Sequence, residues 1–192
     1  TELKNTKRKL LKLGVNLPNE KKLLPVSVKT RIGYDKVQVD EWIPQLLESN
    51  PDCITVHGRT FRQMYQGEAD WEALARVGEI IRSSDKKTVF IANGDVNSPE
   101  IAKSRLEETK ADGIYIGRGS YGDPWIFSRV HEYLENKVVH LDEVDLLTKA
   151  KTAYEHALLH YEMKGDAGFV QMRKHLAWYM RAFPGAVKLR VE

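Results

Sequence analysis

The sequence predicts an α/β fold built on a parallel sheet, followed by a segment that is helical throughout. From Leu24 to about Tyr133, short apolar runs alternate with stretches of helical periodicity, which is the order of successive β-α units. After Tyr133 the strand-like runs stop, and only amphipathic helical patterns follow. Strands that alternate with helices indicate right-handed crossovers between parallel strands.

The first two β-α units lie between residues 25 and 83. Residues 25–30 (PVSVKT) predict a strand, and residues 37–49 predict a helix in which Trp42, Leu46 and Leu47 recur near 3.6-residue spacing. Residues 52–57 (DCITVH) predict the second strand, and residues 71–83 predict the second helix.

The next two units follow in the same order. Residues 88–92 (TVFIA) and 113–116 predict strands, with a helix over residues 99–108 between them. Ser98-Pro99-Glu100 supplies an N-cap, a proline at the first helical position and an acid in the first turn. Asp123-Pro124 repeats this arrangement and predicts another helix start. Two further helices are predicted over residues 145–163 and 167–182.

The alternation fits either a doubly wound sheet or a (β/α)8 barrel of the TIM type. A complete barrel takes roughly 250 residues and eight units. The chain has 192 residues, and only four units are predicted. We therefore expect half of a TIM-type barrel followed by a small all-α domain.

Composition excludes two classes of protein. No apolar run approaches the roughly 20 residues of a membrane-spanning helix, and the single cysteine, Cys53, excludes an intrachain disulfide framework. We expect a cytoplasmic protein with no membrane contact, no metal site and no evident stable protein partner. The net charge is +3, but both ends of the chain are basic. This charge indicates either a nucleic-acid partner at the ends or simply solvated helix surfaces.

Each predicted strand ends in a group of polar residues, at the strand ends where barrel active sites lie. They are Lys29, then His57-Gly58-Arg59, then Asn93-Gly94-Asp95, then Gly117-Arg118-Gly119. Taken singly, each is more often a surface charge or a structural hydrogen bonder, but four strand ends in register predict one functional rim. The last two loops are glycine-rich, as at barrel phosphate sites.

Five blocks of the sequence carry a family resemblance. They are PVSVKTRIGYD (25–35), ITVHGRTFRQMYQGEADW (54–71), FIANGDVNSPEIA (90–102), DGIYIGRGSYGDPWIF (112–127), and RKHLAWY (173–179) with PGAVKLR after it. In this order they resemble the second half of the tRNA-dihydrouridine synthase barrel and its helical domain. The resemblance implies a poorly matching segment (1–24), the last four β-α units of an FMN-binding TIM barrel (25–135) and a truncated helical tRNA-binding domain (144–192).

The resemblance also implies an activity and its site residues. The family reduces uridines in tRNA to dihydrouridine with FMN, and NADPH or NADH is the electron donor. The implied cofactor-binding residues are Lys29 and His57 near the flavin ring and, toward ribityl and phosphate, Asn93, Gly94, Asp95, Gly117 and Arg118. The implied RNA contacts are Arg59, Arg62, Gln63 and Tyr65 after the second strand, and Arg173, Lys174 and His175 on the last helix.

One part of the family pattern has no counterpart in this sequence. The family's catalytic cysteine lies in the first half of its barrel, so no catalytic residue is predicted here. Cys53 begins a strand at the end opposite His57, and we interpret it as a structural packing residue. We expect the chain to be inactive by itself. Two other hypotheses are an FMN-dependent barrel oxidoreductase that acts on a small molecule and a non-catalytic RNA-binding module.

Overall fold

The computed structural model describes residues 24–135 and 144–181. The predicted N-terminal segment, except for Leu24, therefore lies outside the described residues. The PGAVKLR block and the end of the last predicted helix also lie outside them.

Four parallel strands form one sheet. They are β1 (Ser27–Arg31), β2 (Cys53–His57), β3 (Val89–Asn93) and β4 (Gly113–Tyr115), hydrogen-bonded in the order β1-β2-β3-β4. A doubly wound sheet reverses its strand order at a switch point. Here each crossover moves one strand further in the same direction, which is the order of a (β/α)8 barrel. The barrel alternative is thereby favoured over the doubly wound one, and the parallel α/β prediction is confirmed.

A helix follows each strand and packs against the next helix along the chain. The helices are α1 (Val39–Glu48), α2 (Trp71–Ser83), α3 (Pro99–Thr109) and α4 (Ile126–Leu134), and contacts join α1 to α2, α2 to α3 and α3 to α4. The predicted boundaries of α1, α2 and α3 differ from these by at most two residues.

The hydrophobic core lies between this helix layer and one face of the sheet. Ile54 and Val56 of β2 alternate with residues of the opposite face, and both are fully buried. Phe90 and Ala92 of β3 lie in the same layer, because Phe90 pairs in register with Ile54 and Ala92 with Val56. Each such large apolar side chain contributes about 1.5–3 kcal/mol through burial.

The opposite face of the sheet is polar at its carboxyl end. Because register partners in parallel strands point to the same side, Lys29 and Arg31 share this face with His57 and Asn93. Tyr115 continues the row on β4 and is exposed. The sheet therefore presents cations, an imidazole and an amide side by side.

Side chains cap the starts of α2 and α3, and the cap of α3 is the predicted one. The Asp70 carboxylate accepts a hydrogen bond from Ala73 N (2.8 Å) at the start of α2. The Ser98 hydroxyl accepts one from Ile101 N (3.3 Å) at the start of α3, and Pro99 is its first residue. Both caps satisfy backbone donors that have no partner inside the helix.

The predicted cap at Asp123-Pro124 is wrong. The helix α4 begins at Ile126, Trp125 precedes it, and no side chain caps it. Residues 123–126 form a turn of their own, in which Asp123 O accepts from Ile126 N (3.3 Å). The Asp123 carboxylate pairs with Arg129 instead, so it is unavailable to the backbone N–H groups of the first turn.

Residues 144–181 are mostly helical, with boundaries that differ from the prediction. The helix α5 spans Leu146–Phe169 and is broken at Gly165, whose φ of 62° and ψ of −168° are not helical. The helix α6 spans Met172–Tyr179 and packs against α5. The single predicted helix over 167–182 is thus divided at residues 170–171. That residues 144–192 form a separate tRNA-binding domain stays a prediction.

A stacking contact joins this helical segment to the loop after β4. The rings of Tyr121 and Trp178 stack with centroids 4.1 Å apart and planes inclined by 15°. Next to them, Gly122 has a φ of 75°, and a Cβ there would lie 2.3 Å from Trp178 O. Glycine is therefore required at 122 both by its backbone conformation and by the close approach of α6.

Among residues 24–135 and 144–181, no helix has the combination of length and apolar character that crossing a bilayer requires.

Candidate functional site

A cleft of about 510 Å³ lies at the carboxyl ends of the four strands. Its volume falls within the range of small-molecule sites. It is lined by the predicted residues Lys29, His57, Tyr65, Asn93, Asp95, Gly117 and Arg118, together with Arg31, Val96, Asn97, Tyr115, Gly119 and Tyr121. The structure thus brings together most of the residues that the sequence placed on one rim.

Lys29 is held on the open face of the sheet by its neighbours in β3 and β4. Its Nζ donates to Asn93 Oδ1 (3.3 Å) and lies 5.2 Å from the centroid of the Tyr115 ring. Asn93 Nδ2 donates in turn to Tyr115 O (3.0 Å), which orients the amide. Burial, and then the charge of Arg31, lower the pKa of Lys29. An anion placed in the cleft would reverse this effect.

His57 is a neutral imidazole at the end of β2. Its pKa is lowered from 6.5 to about 4, first by burial and then by the charges of Arg31, Lys29 and Arg59. Asp95 has a weaker, opposite effect. Arg59 Nη1 lies 3.4 Å from His57 Nε2. Because a guanidinium can only donate, we assign Nε2 as the acceptor and Nδ1 as the protonated nitrogen.

The Asp95 carboxylate organises the loops around the cleft. It accepts hydrogen bonds from Arg59 Nη1 (2.9 Å), Arg59 Nη2 (2.5 Å), Ala69 N (3.0 Å) and Arg118 Nη2 (2.7 Å). Burial by itself would raise the pKa of Asp95. The hydrogen bonds from Arg59 and Ala69 and the charges of both arginines outweigh it, and the pKa is lowered. Asp95 therefore positions Arg118 and closes the loop after β2.

The position of Arg59 does not favour the RNA contact predicted for it. The Arg59 side chain is only 2% exposed. Besides Asp95, it donates to Gln66 O (3.3 Å) and Gly67 O (2.6 Å). A guanidinium has five N–H donors, and here they are buried among these acceptors. Arg59 therefore stabilises the conformation of the loop over residues 58–70 and is not placed to contact a ligand at the surface.

Arg118, like Lys29, is an exposed cation of the predicted cofactor set. Its side chain is 46% exposed, although it pairs with Asp95 and lies over the Tyr65 ring at 4.8 Å. It begins a single 3-10 turn, Arg118–Ser120, whereas α4 begins only at Ile126. No α-helix therefore starts directly after the GRG motif. Gly117 faces open space, since a Cβ there would lie 4.0 Å from the nearest atom.

Gly94 has a packing role, and its cofactor contact stays a prediction. A Cβ at this position would lie 2.5 Å from Ala69 Cβ and 3.4 Å from Trp71 Cζ2. Gly94 does not line the cleft. Glycine is needed there because the strand end approaches the start of α2 closely.

The other predicted RNA contacts after β2 differ in accessibility. Gln63 Oε1 accepts from Thr60 N (2.7 Å), so the Gln63 side chain closes a local turn. Arg62 and Tyr65 are exposed, and each takes part in a cation–π contact, Arg62 over Tyr34 and Arg118 over Tyr65.

The predicted RNA contacts on α6 also differ in accessibility. Arg173 and Lys174 are exposed. His175 packs edge-on against Trp178 (4.9 Å between centroids) and His156 (5.3 Å). Burial, and then the neighbouring histidine and lysine charges, lower the pKa of His175. The geometry gives His175 a packing role between α5 and α6.

Cys53 lies on the open face of the sheet at the amino end of β2. It is half-buried, more accessible than the sequence predicted. Four residues of extended strand, about 13 Å, separate it from His57 at the carboxyl end. Its distance from the cleft supports the interpretation that it is not a reacting group.

Sequence reasoning missed five side chains of the cleft, Arg31, Val96, Asn97, Tyr115 and Tyr121. Strand alternation could have found two of them, because Arg31 is two residues beyond Lys29 and Tyr115 pairs in register with Asn93. A larger cleft of about 740 Å³ runs along β1 and α1 and shares Lys29 and Arg31. The smaller cleft is the better candidate, because the groups with altered pKa values converge there.

Comparisons with known proteins agree with the motifs. Residues 6–192 match the family model described as dihydrouridine synthase (Dus). The chain is 38% identical over 169 residues to "Probable tRNA-dihydrouridine synthase 1" of Synechocystis sp., with 87% of this chain and 46% of the relative aligned. It is 37% identical over 172 residues to tRNA-dihydrouridine synthase B of Vibrio parahaemolyticus, with 87% and 51% aligned. The chain spans about half the length of the curated relatives it matches.

Proposed function

The chain belongs to the dihydrouridine synthase family, and from this premise we propose that its cleft binds FMN within a protein that reduces uridines in tRNA to dihydrouridine. The observation that carries the proposal is the convergence of Lys29, His57, Asn93 and Arg118 in one cleft at the carboxyl ends of four parallel strands. We further propose NADPH or NADH as the electron donor, as in the family.

The residues of the cleft fit such a cofactor. Three cations, Lys29, Arg31 and Arg118, line it against one carboxylate, Asp95, which is already engaged by arginines. An excess of positive charge suits a phosphate and a ring that gains negative charge on reduction. The exposed Arg118 guanidinium is the natural phosphate ligand, since planar guanidinium groups bind phosphate oxygens in pairs.

The chemistry that the cofactor supplies when bound is hydride transfer to an electron-poor carbon–carbon double bond. Lys29, fixed by Asn93, would stabilise negative charge at the ring edge. His57 stays neutral at physiological pH and offers a hydrogen bond from Nδ1 without adding charge. Asp95 holds Arg118 in position, and no group of this chain is assigned the proton donation that completes the reduction.

The proposed tRNA contact on the helical segment rests on Arg173 and Lys174. Both are exposed on α6, and the stack between Tyr121 and Trp178 fixes α6 to a loop that lines the cleft. Exposed cations at a fixed position relative to the cleft are suited to phosphates of a large polyanion. We propose that residues 25–135 supply the flavin site and residues 144–192 the tRNA-binding domain.

Flavin titration tests the cofactor proposal. We expect the protein to quench FMN fluorescence, and we expect Lys29→Ala and Arg118→Ala each to weaken binding about tenfold through a lost charge-assisted hydrogen bond. Arg76→Ala, which removes an exposed ion pair with Asp40 on the helix layer, is the control and should leave affinity unchanged. Equal FMN affinity in all variants would show that the flavin does not bind in this cleft.

A tRNA mobility-shift assay separates the enzyme from the two other hypotheses. Binding of both FMN and tRNA is expected for the proposed function. Binding of tRNA without FMN would indicate a non-catalytic RNA-binding module. Binding of FMN without tRNA would indicate an oxidoreductase for small molecules.

A further inference from the structure

An exposed pair of stacked aromatic rings lies on the loops that follow β1 and β2. The rings of Tyr34 and Phe61 are 5.2 Å apart between centroids, and their planes are inclined by 10°. Tyr34 is 56% exposed and Phe61 is 59% exposed. The two rings therefore form a continuous exposed apolar surface, which is the kind of feature found at interaction sites.

The backbone fixes this pair. Phe61 N donates to Gly33 O (2.9 Å), and Arg62 N donates to Tyr34 O (2.9 Å), so the two loops are joined directly beside the rings. The rings therefore keep their stacked geometry without a ligand, and little ordering entropy remains to be lost on binding.

A cation accompanies the pair. The Arg62 guanidinium lies 5.6 Å from the centroid of the Tyr34 ring. Within residues 24–135 and 144–181, Arg62 has no carboxylate partner, in contrast to Arg59 and Arg118, which both pair with Asp95. Arg62 can therefore meet an external anion without breaking an ion pair.

The pair is anchored to the wall of the cleft. Arg31 lines the cleft, and its Nη1 donates to Thr60 O (2.7 Å) and Met64 O (3.1 Å). These two acceptors precede and follow Phe61 and Arg62 in the loop after β2. A ligand that rests on Phe61 or Tyr34 would thus lie a fixed distance from the cleft.

Flat aromatic surface beside an unpaired guanidinium suits one class of ligand. Proteins that hold single-stranded nucleic acid stack bases on aromatic rings and bind the backbone phosphates with arginine. An apolar protein surface would use the rings but would leave the Arg62 charge uncompensated.

We propose that Tyr34, Phe61 and Arg62 form a stacking site for an unpaired base of the RNA substrate, next to the cleft. The base stacks on the exposed surface of the ring pair, and Arg62 binds the phosphate of that nucleotide. This inference rests on the proposed function, because it assigns a contact to the same RNA.

Titration of a fluorescent single-stranded oligouridine and of a blunt RNA duplex into the full chain tests the site. We expect Phe61→Ala and Tyr34→Ala each to weaken binding of the single strand roughly tenfold and to leave duplex binding unchanged. Phe127→Ala, which removes a 52% exposed phenylalanine on α4, is the matched control and should have no effect. Arg62→Ala should also lower the slope of log affinity against log salt by about one.

Phe61→Leu distinguishes stacking from apolar contact. It keeps most of the apolar surface and removes the π face, so we expect it to bind the single strand as weakly as Phe61→Ala. Phe61→Trp should retain wild-type affinity. Both variants also keep a large side chain against Tyr34, which protects the test from misfolding of the alanine variant.

The outcomes separate the two proposals. Failure of the unaltered chain to bind any RNA would overturn the proposed function as well. Wild-type affinity in Phe61→Ala and Tyr34→Ala, with RNA binding intact in the unaltered chain, would overturn the stacking site alone. Weakened self-association in these variants without loss of RNA affinity would identify the patch as a protein interface. That result would also overturn the stacking site.

Discussion

At the scale of single residues, the candidate site depends on groups whose charge is set by burial. His57 is the clearest case, because burial and three nearby cations lower its pKa to about 4. The neutral form of His57 therefore favours the folded state, in addition to its part in the proposed chemistry.

His57 should make the protein sensitive to mild acid. Its unfolded pKa is 6.5 and its folded pKa is about 4, so the unfolded chain binds the proton more tightly. Stability is full above pH 6.5 and falls as the pH decreases toward 4, by about 2 kcal/mol between pH 7 and pH 5. Urea unfolding at both pH values should show this loss.

Substitution isolates the contribution of His57. His57→Gln should remove most of the additional loss at pH 5, whereas His131→Gln, at a 70% exposed side chain, should retain it. An equal pH dependence in His57→Gln and the unaltered chain would show that His57 is not the group responsible.

Arg59 should contribute to stability more than an exposed arginine does. Arg59→Met leaves the Asp95 carboxylate without its bidentate partner and frees Gln66 O and Gly67 O. Because Asp95 is partly exposed and keeps Arg118, we expect a loss of about 2 kcal/mol, below the range for a fully buried pair. Chemical denaturation measures it. Arg76→Met should cost less than about 0.5 kcal/mol, and similar losses in the two variants would contradict this account.

At the scale of elements, α6 is joined to the β4 loop by a glycine and an aromatic stack. Sequence periodicity predicted a helix near these residues, but it contained no sign of the contact between Tyr121 and Trp178. The contact matters for the proposed function because it sets the distance between the basic residues of α6 and the cleft.

Gly122→Ala should loosen α6. The new Cβ would meet Trp178 O, and alanine at a φ of 75° is also strained, so we expect a loss of about 1–3 kcal/mol. Faster amide exchange in residues 172–179 and a change in Trp178 fluorescence would report it. Gly67→Ala has a similar φ of 63° with open space around the Cβ, and it controls for backbone strain alone. Equal exchange rates in the two variants would exclude the steric contact.

At the scale of the whole molecule, the sheet has two edge strands within the described residues, because β1 and β4 are each paired on one side only. Its polar open face carries exposed Val89 and Tyr115, and Val26 is exposed just before β1. Unpaired strand edges associate readily with other chains, which barrel closure normally prevents.

The 192-residue chain should therefore self-associate as its concentration rises. Sedimentation velocity should show species larger than the monomer, and Val26→Lys should reduce them by placing a charge beside the edge. Val170→Lys, at an exposed site on the helical segment, is the control. A single monomeric species at high concentration would contradict the open-edge account.

The sequence by itself determined the β-α order, the parallel sheet and most of the cleft. Period-two and period-3.6 patterns reflect local geometry, and parallel strands bring their carboxyl ends to one edge. Lys29, Asn93 and Arg118 could therefore be placed together without coordinates. The family motifs then supplied the hypothesis of function.

Only the tertiary structure decided which of the predicted residues can meet a ligand. Arg59 and Gly94 follow strands just as Arg118 and Asn93 do, yet Arg59 is buried by loop carbonyls and Gly94 by Ala69 and Trp71. The burial of a side chain depends on segments distant in sequence, which no local periodicity records. The same reason hid the stacked pair Tyr34 and Phe61, whose two loops meet only because β1 and β2 are neighbours in the sheet.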